Sequence, residues 1–260
     1  MQKITYIVKS ILIINLLIFV LNKYLEFDFV YKFGLRYIFS DFFNFYQFFT
    51  HLFIHVSFMH LFGNMLILFF FGPVLENTLG SKNFLIFYII VGIGSGLLYS
   101  MINYFEIKNI ESIYHSYILD PNPESLNNYI NKFSYSTYNI YYNFMDSFFD
   151  YPNKINYIEE SKNIAYNLYK TQTNIPVIGA SGPISGILTA FGILFPNKKI
   201  FLLLIPFPIK AKYLIIFYAI YELYSGLQAN PSDNIAHFAH LGGILFGFLF
   251  IKFIKKKYKN

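Results

Sequence analysis

Residues 176–195 read PVIGASGPISGILTAFGILF, and the fold turns on whether this stretch crosses a bilayer. Twenty uncharged residues are long enough to do so as a helix, at ~1.5 Å of rise per residue. Pro196-Asn197 follows as a helix stop. Within the stretch, Ser181 and Ser185 are each followed by glycine. Small residues in a membrane helix allow close packing of a neighbour. A serine on a Gly-X-Ser-Gly turn is also a place for a nucleophile.

The rest of the chain reads in the same way. Of its 260 residues, 55% are hydrophobic and 13% charged, with a mean hydropathy of +0.44, too apolar for a soluble protein of this size. Six spans emerge, at 7–24, 58–76, 84–103, 176–195, 211–227 and 235–254. No small-residue cleavage site follows the first span, so it reads as a retained helix. Cysteine is absent, which excludes disulfides and thiolate metal sites.

The net charge of +6 could suggest nucleic acid, but the placement of the lysines argues for topology. Twelve lysines, among them Lys82, Lys198 and Lys199, fall before or at the start of span 1, in or beside the 2–3 and 4–5 loops, and at or after the end of span 6. One acid, Glu76, shares those regions, whereas the opposite side carries eight basic and twelve acidic residues. By the positive-inside rule both termini are cytoplasmic and 104–174 is outside. The basic tail KFIKKKYKN then reads as a topology anchor, with the bilayer as partner and no nucleic acid. Rich in Asn, Tyr and Ser, 104–174 is too long for a structureless loop and reads as a small helical insertion.

Strongly polar side chains inside spans are functional candidates. His60 and Asn64 are four residues apart and share a helix face; His51 and His55 precede them with the same spacing. Interfacial histidines, or a zinc pair, are alternative readings, although HExxH is missing and no carboxylate lies nearby. In span 6, His240, Gly243 and Gly247 share a face, with His237 one turn before His240. Gly182 and Gly186 have the same spacing in span 4, so the two glycine faces can meet and carry His240 towards Ser181. His240 lies ~9 Å below the outer end of its span, at the depth expected for Ser181 and His60.

A serine needs a base, and histidine titrates near neutral pH. Apart from Asp233 in the outer loop and Glu222 in span 5, no acid is a candidate partner for His240 in the membrane, so a Ser181–His240 dyad rather than a triad is the expected arrangement. His60, Asn64 and the backbone N–H of Ser181 would receive the oxyanion.

These residues resemble the rhomboid intramembrane serine proteases. The resemblance rests on HLFGN at 60–64, GASG at 179–182 and AHLGGILFG at 239–247, with GPVLENTLGS at 72–81 like that family's turn after its second helix. It covers about 45–103 and 175–254. It implies an all-α polytopic membrane protein, a single domain over 1–260. Its core would be a six-transmembrane-helix bundle with a long extracytoplasmic insertion, 104–174, between helices 3 and 4. The implied activity is cleavage of transmembrane protein substrates without metal or cofactor, in a bacterial cytoplasmic membrane. Ser181 would be the nucleophile, His240 the base, His60 and Asn64 oxyanion donors, and Gly179 and Gly182 support for the turn. Gly186, Gly243 and Gly247 would pack the helices. The chain departs from the family pattern in the length of 104–174 and in lacking a Trp-Arg pair in the first outer loop. It also carries Ser185 where an aromatic often packs against the histidine. A client-binding relative without activity, and a proton-conducting transporter using the intramembrane histidines, are the rival functions.

Overall fold

The computed structural model describes residues 3–133, 135–201, 207–228, 233 and 235–257. Asn234, expected at the outer end of span 6, and the last three residues of the basic tail lie outside them.

Four helices are long and apolar enough to cross a membrane: α1 (Tyr6–Tyr24), α4 (Phe58–Leu79), α5 (Ser81–Leu119) and the apolar part of α11 (His237–Lys257). Two short helices, α2 (Phe29–Phe33) and α3 (Gln47–Thr50), lie between α1 and α4. The remaining expected spans correspond to α9 (Ser181–Leu194) and α10 (Ala211–Gln228). α9 is apolar but has only 14 residues. α10 has Lys212 and Glu222 among its 18 residues and is not apolar enough by the same measure.

Tertiary capping joins the ends of these helices. Glu76, buried near the end of α4, accepts hydrogen bonds from Thr5 Oγ1 (2.5 Å) and from the backbone N–H of Ile7 and Val8 (3.1 and 3.0 Å). It also accepts from Ser81 Oγ at the start of α5 (2.6 Å). One carboxylate thus satisfies two of the orphan donors at the N-terminus of α1, where the helix dipole favours an anion. Around this knot Val8, Leu68, Phe84, Phe87, Val91, Ile184, Ile187 and Phe191 form the main core.

The long helix α5 has 39 residues, ~58 Å at helical rise, nearly twice a hydrocarbon thickness. Its second half leaves the apolar bundle and packs with α6 (Pro123–Ile130), α7 (Tyr135–Asp150) and α8 (Ile155–Asn174). Asn122 caps α6 by accepting from Ser125 N–H (2.9 Å), and Pro123 occupies its first turn. Residues 104–174 therefore enclose a second core of Leu126, Tyr129, Ile130, Met145, Phe148 and Ile164, separate from the first.

The fourth expected span is shorter than 176–195 suggested. Residues 176–180 are not helical, because Val177 pairs with Leu35 through two backbone bonds, 2.8 and 2.7 Å. Gly179 N–H donates to the His51 carbonyl at 2.9 Å. The bridge takes up the Val177 carbonyl, which a helix from 176 would offer to the Ser181 N–H, and Gly179 has a non-helical φ of +116°, so α9 starts at Ser181. β1 (Lys199–Ile200) and β2 (Ile209–Lys210) form a two-stranded ladder between α9 and α10.

Candidate active site

The site is assembled on the loop that connects α1 to α4. Buried Gln47 donates from Nε2 to the carbonyls of Phe42 (2.9 Å) and Lys32 (3.3 Å), and its Oε1 accepts from Arg36 N–H (3.4 Å). Arg36 reaches the Tyr31 and Asn174 carbonyls. Burial lowers the affinity of its guanidinium for its proton. Ser40 Oγ donates to Asn174 Oδ1 at 2.7 Å. This polar stitching ties the end of α8 to the loop, and with the Leu35–Val177 bridge it fixes the approach to Ser181.

At the turn itself Gly179 has φ +116°, a conformation that only glycine adopts without strain. A Cβ there would stand 2.6 Å from both Cε1 and Nε2 of His60, and 3.8 Å from Asn64 Nδ2. The backbone before Ser181 therefore lies directly against the His60/Asn64 face of α4, and these expected partners do converge. Ala180 is buried, and Ser181 is the half-buried first residue of α9.

His55 completes this side of the site. Its Nε2 accepts from Asn64 Nδ2 (3.0 Å) and from the Ala180 N–H (3.4 Å). Burial, then the neighbouring His60, pushes its pKa down to about 3, so the neutral ring keeps the lone pair that both donors use. The His51 ring donates from Nδ1 to the Gln47 carbonyl (2.7 Å), and burial pushes its pKa down to about 4. The His51/His55 spacing signalled something in the sequence. Its structural meaning is hydrogen bonding that orients Asn64 and the turn.

The glycine faces of α9 and α11 meet. A Cβ on Gly243 would run into the Gly182 carbonyl, and one on Gly247 would stand 2.8 Å from the Gly186 Cα. At the top of the seam the Cβ position of Gly182 is 3.8 Å from the Ala239 carbonyl. Ser181 and His240 each adjoin one of these touching residues in sequence. Ser181 Oγ makes no hydrogen bond among the described residues, and in unliganded sites such contacts commonly tighten only when substrate arrives.

On the His240 side, α10 contributes what the sequence of α9 lacks. The Tyr218 ring lies 6.4 Å from that of His240, tilted by 32°. Its Oη is 2.7 Å from Ser185 Oγ, which itself donates to the Ser181 carbonyl at 2.8 Å. An aromatic missing at position 185 is thus replaced by one from another helix, with Ser185 as its tether. Glu222, one turn on from Tyr218, is buried between two imidazoles. Its Oε2 lies 2.6 Å from His237 Nδ1, and its Oε1 lies 3.0 Å from His240 Nδ1. The first is an aligned hydrogen bond; the second is a close approach without that alignment. His237 Nε2 meets Asp233 Oδ2 at 3.0 Å, which holds the Asp233 carboxyl below its usual range. Tyr218 lay unmarked in the sequence; only the four-residue spacing to Glu222 could have drawn attention to it.

Glu222, His237 and His240 also offer three donor atoms within 4.8 Å of one another, a set that zinc accepts. At 2.6 Å, however, the Glu222–His237 contact has the length of a hydrogen bond. Two tetrahedral ligands on bonds of roughly 2.0–2.1 Å stand farther apart.

The Rhomboid domain family model matches residues 43–106 and 158–257, more than half of the chain, and leaves out 107–157. No curated protein matches the chain.

Proposed function

The chain belongs to the rhomboid family, generally intramembrane serine proteases, and is an integral multi-pass membrane protein; we propose that it is an active serine endopeptidase. It would cut transmembrane segments of other membrane proteins with Ser181 and His240. The observation that carries this reading is the glycine seam between α9 and α11, which brings the Ser181 turn and the first turn of α11 together.

In the reaction, Ser181 Oγ adds to the carbonyl carbon of the scissile peptide while its proton passes to His240 Nε2. The carbonyl π pair moves to oxygen, and this oxyanion lies against His60, the Asn64 amide and the Ser181 N–H. His240 then returns the proton to the leaving nitrogen as the C–N bond breaks. Water repeats the sequence on the acyl-enzyme and restores Ser181. Since α9 is ~21 Å long, shorter than a hydrocarbon layer, a helix grounded at the cytoplasmic surface would begin below the outer one. That depth suits a peptide bond within a membrane segment. The topology proposed with it has six crossings, both termini in the cytoplasm of a bacterium and 104–174 outside as an insertion.

The test is cleavage of a model transmembrane segment in liposomes, with fluorophosphonate labelling read by mass spectrometry. Wild type should cut and carry the label on Ser181, while Ser181→Ala and His240→Ala should each lose cleavage by at least ~10³-fold. Undiminished cleavage by both variants would sink the proposal. Binding of the segment by wild type without cutting would support the client-binding alternative.

A further inference from the structure

We propose that Glu222 is the positioning carboxylate of His240, so that the base works within a Ser–His–Glu set rather than a Ser–His pair. This rests on the reading of Ser181 and His240 given above. The two oxygens of Glu222 are divided between His237 and His240, and the carboxyl group is almost fully removed from solvent. A carboxylate buried in an apolar helix bundle is costly unless it is paired, and marks function by default.

The charges can be counted from the contacts. Both His237 nitrogens face carboxyl oxygens, Glu222 Oε2 and Asp233 Oδ2; with both acids ionised, both nitrogens donate and the ring is a cation. Two carboxylates and one imidazolium leave one net negative charge beside His240 Nδ1. That nitrogen is buried, 3.0 Å from Glu222 Oε1 and not yet aligned with it. When Nε2 takes the Ser181 proton, the ring becomes a cation and a small rotation brings Nδ1–H onto Oε1. The carboxylate takes no proton. It favours a charge that exists only after proton transfer, which is the interaction that raises kcat. Tyr218, tethered to Ser185, lies over the same ring and limits that rotation. The titratable groups facing His240 are thus His60 from α4, Tyr218 and Glu222 from α10, and His237 from α11, with Asp233 behind His237.

Cleavage by the full-length protein in liposomes, followed across roughly pH 5 to 9, tests the assignment. Glu222→Gln should lower kcat by ~10²-fold with KM little changed. It should also move the acid limb of the profile down by ~1 pH unit, because the charge favouring the protonated base is gone. His237→Gln should move the limb the other way, since it uncovers the Glu222 charge, and Glu222→Asp should recover part of the lost kcat. A merely structural role would lower activity at every pH and leave the limb in place, which overturns the proposal. If Glu222→Gln does not fold, His237→Gln decides: an unmoved or lowered limb overturns it. Proton NMR gives a readout that needs no activity. On the acid side of the limb, where the His240 ring is protonated and Nδ1–H meets Oε1, a downfield Nδ1 proton, assigned to His240 by its loss in His240→Ala, should move upfield in Glu222→Gln. An inactive wild type that shows this shift would refute the protease reading and leave the Glu222 pairing standing. An active wild type without it would do the reverse.

Discussion

Gly179 shows how a single residue couples two demands. Its φ of +116° lets the chain turn into α9, and its missing side chain lets the backbone lie against the His60 ring. Gly179→Ala adds both strain, ~1–3 kcal/mol for a non-glycine held in such a region, and a collision 2.6 Å from two ring atoms. The His60 ring can swing away, so the variant should fold with a lowered thermal midpoint. Cleavage and fluorophosphonate labelling should fall together, because the proposed oxyanion donors are displaced. Retained labelling at the wild-type rate would separate His60 from the site. Ser185 teaches a related lesson, since read alone it is a small packing residue in an unusual place. Its hydroxyl is the tether that brings Tyr218 to His240, a role no local pattern announces.

Among elements, the decisive contact is the seam of α9 and α11, two helices whose backbones touch along Gly182, Gly186, Gly243 and Gly247. The GxxxG spacing predicted this contact, because two small residues one turn apart leave a flat strip on a helix. Gly243→Val would force the helices apart at the Gly182 carbonyl. Overpacking of this kind costs ~1–3 kcal/mol, and the shift also separates Ser181 from His240. The expected result is a lower thermal midpoint in detergent and loss of cleavage greater than the loss of folded protein. A variant that is destabilised but fully active per folded molecule would show that the seam does not set the reacting distance. The shortening of α9 was not visible in the same way. Periodicity and hydropathy continue through 176–180, whereas the pairing with Leu35 and His51 and the positive φ of Gly179 interrupt the helix.

For the whole molecule, the question is which side of the bilayer each end of the bundle faces. The absence of cysteine provides a clean background for mapping it. A single cysteine replacing Lys132 should react with a membrane-impermeant maleimide in intact cells, and one replacing Lys198 only after permeabilisation. The reverse pattern would invert the proposed topology. The second core, built by α5 to α8, makes 104–174 a folded body rather than a strap, and its Asn174 end is stitched to Arg36 and Ser40 beside the Ser181 turn.

Sequence alone was enough for the helical membrane class and the family, and its GxxxG spacings marked the two glycine faces that meet. Each depends on composition, hydropathy or spacing along one helix. Those are properties of residues a turn apart, or of a window averaged over some twenty. The tertiary structure decided what joins distant segments. His55 orienting Asn64, Glu76 closing α1, Tyr218 standing in for an aromatic on α9, and Glu222 meeting His240 all link residues on different elements. A buried polar group must find a partner somewhere, but its own neighbours in sequence do not say where, because the partner is fixed by how the helices pack.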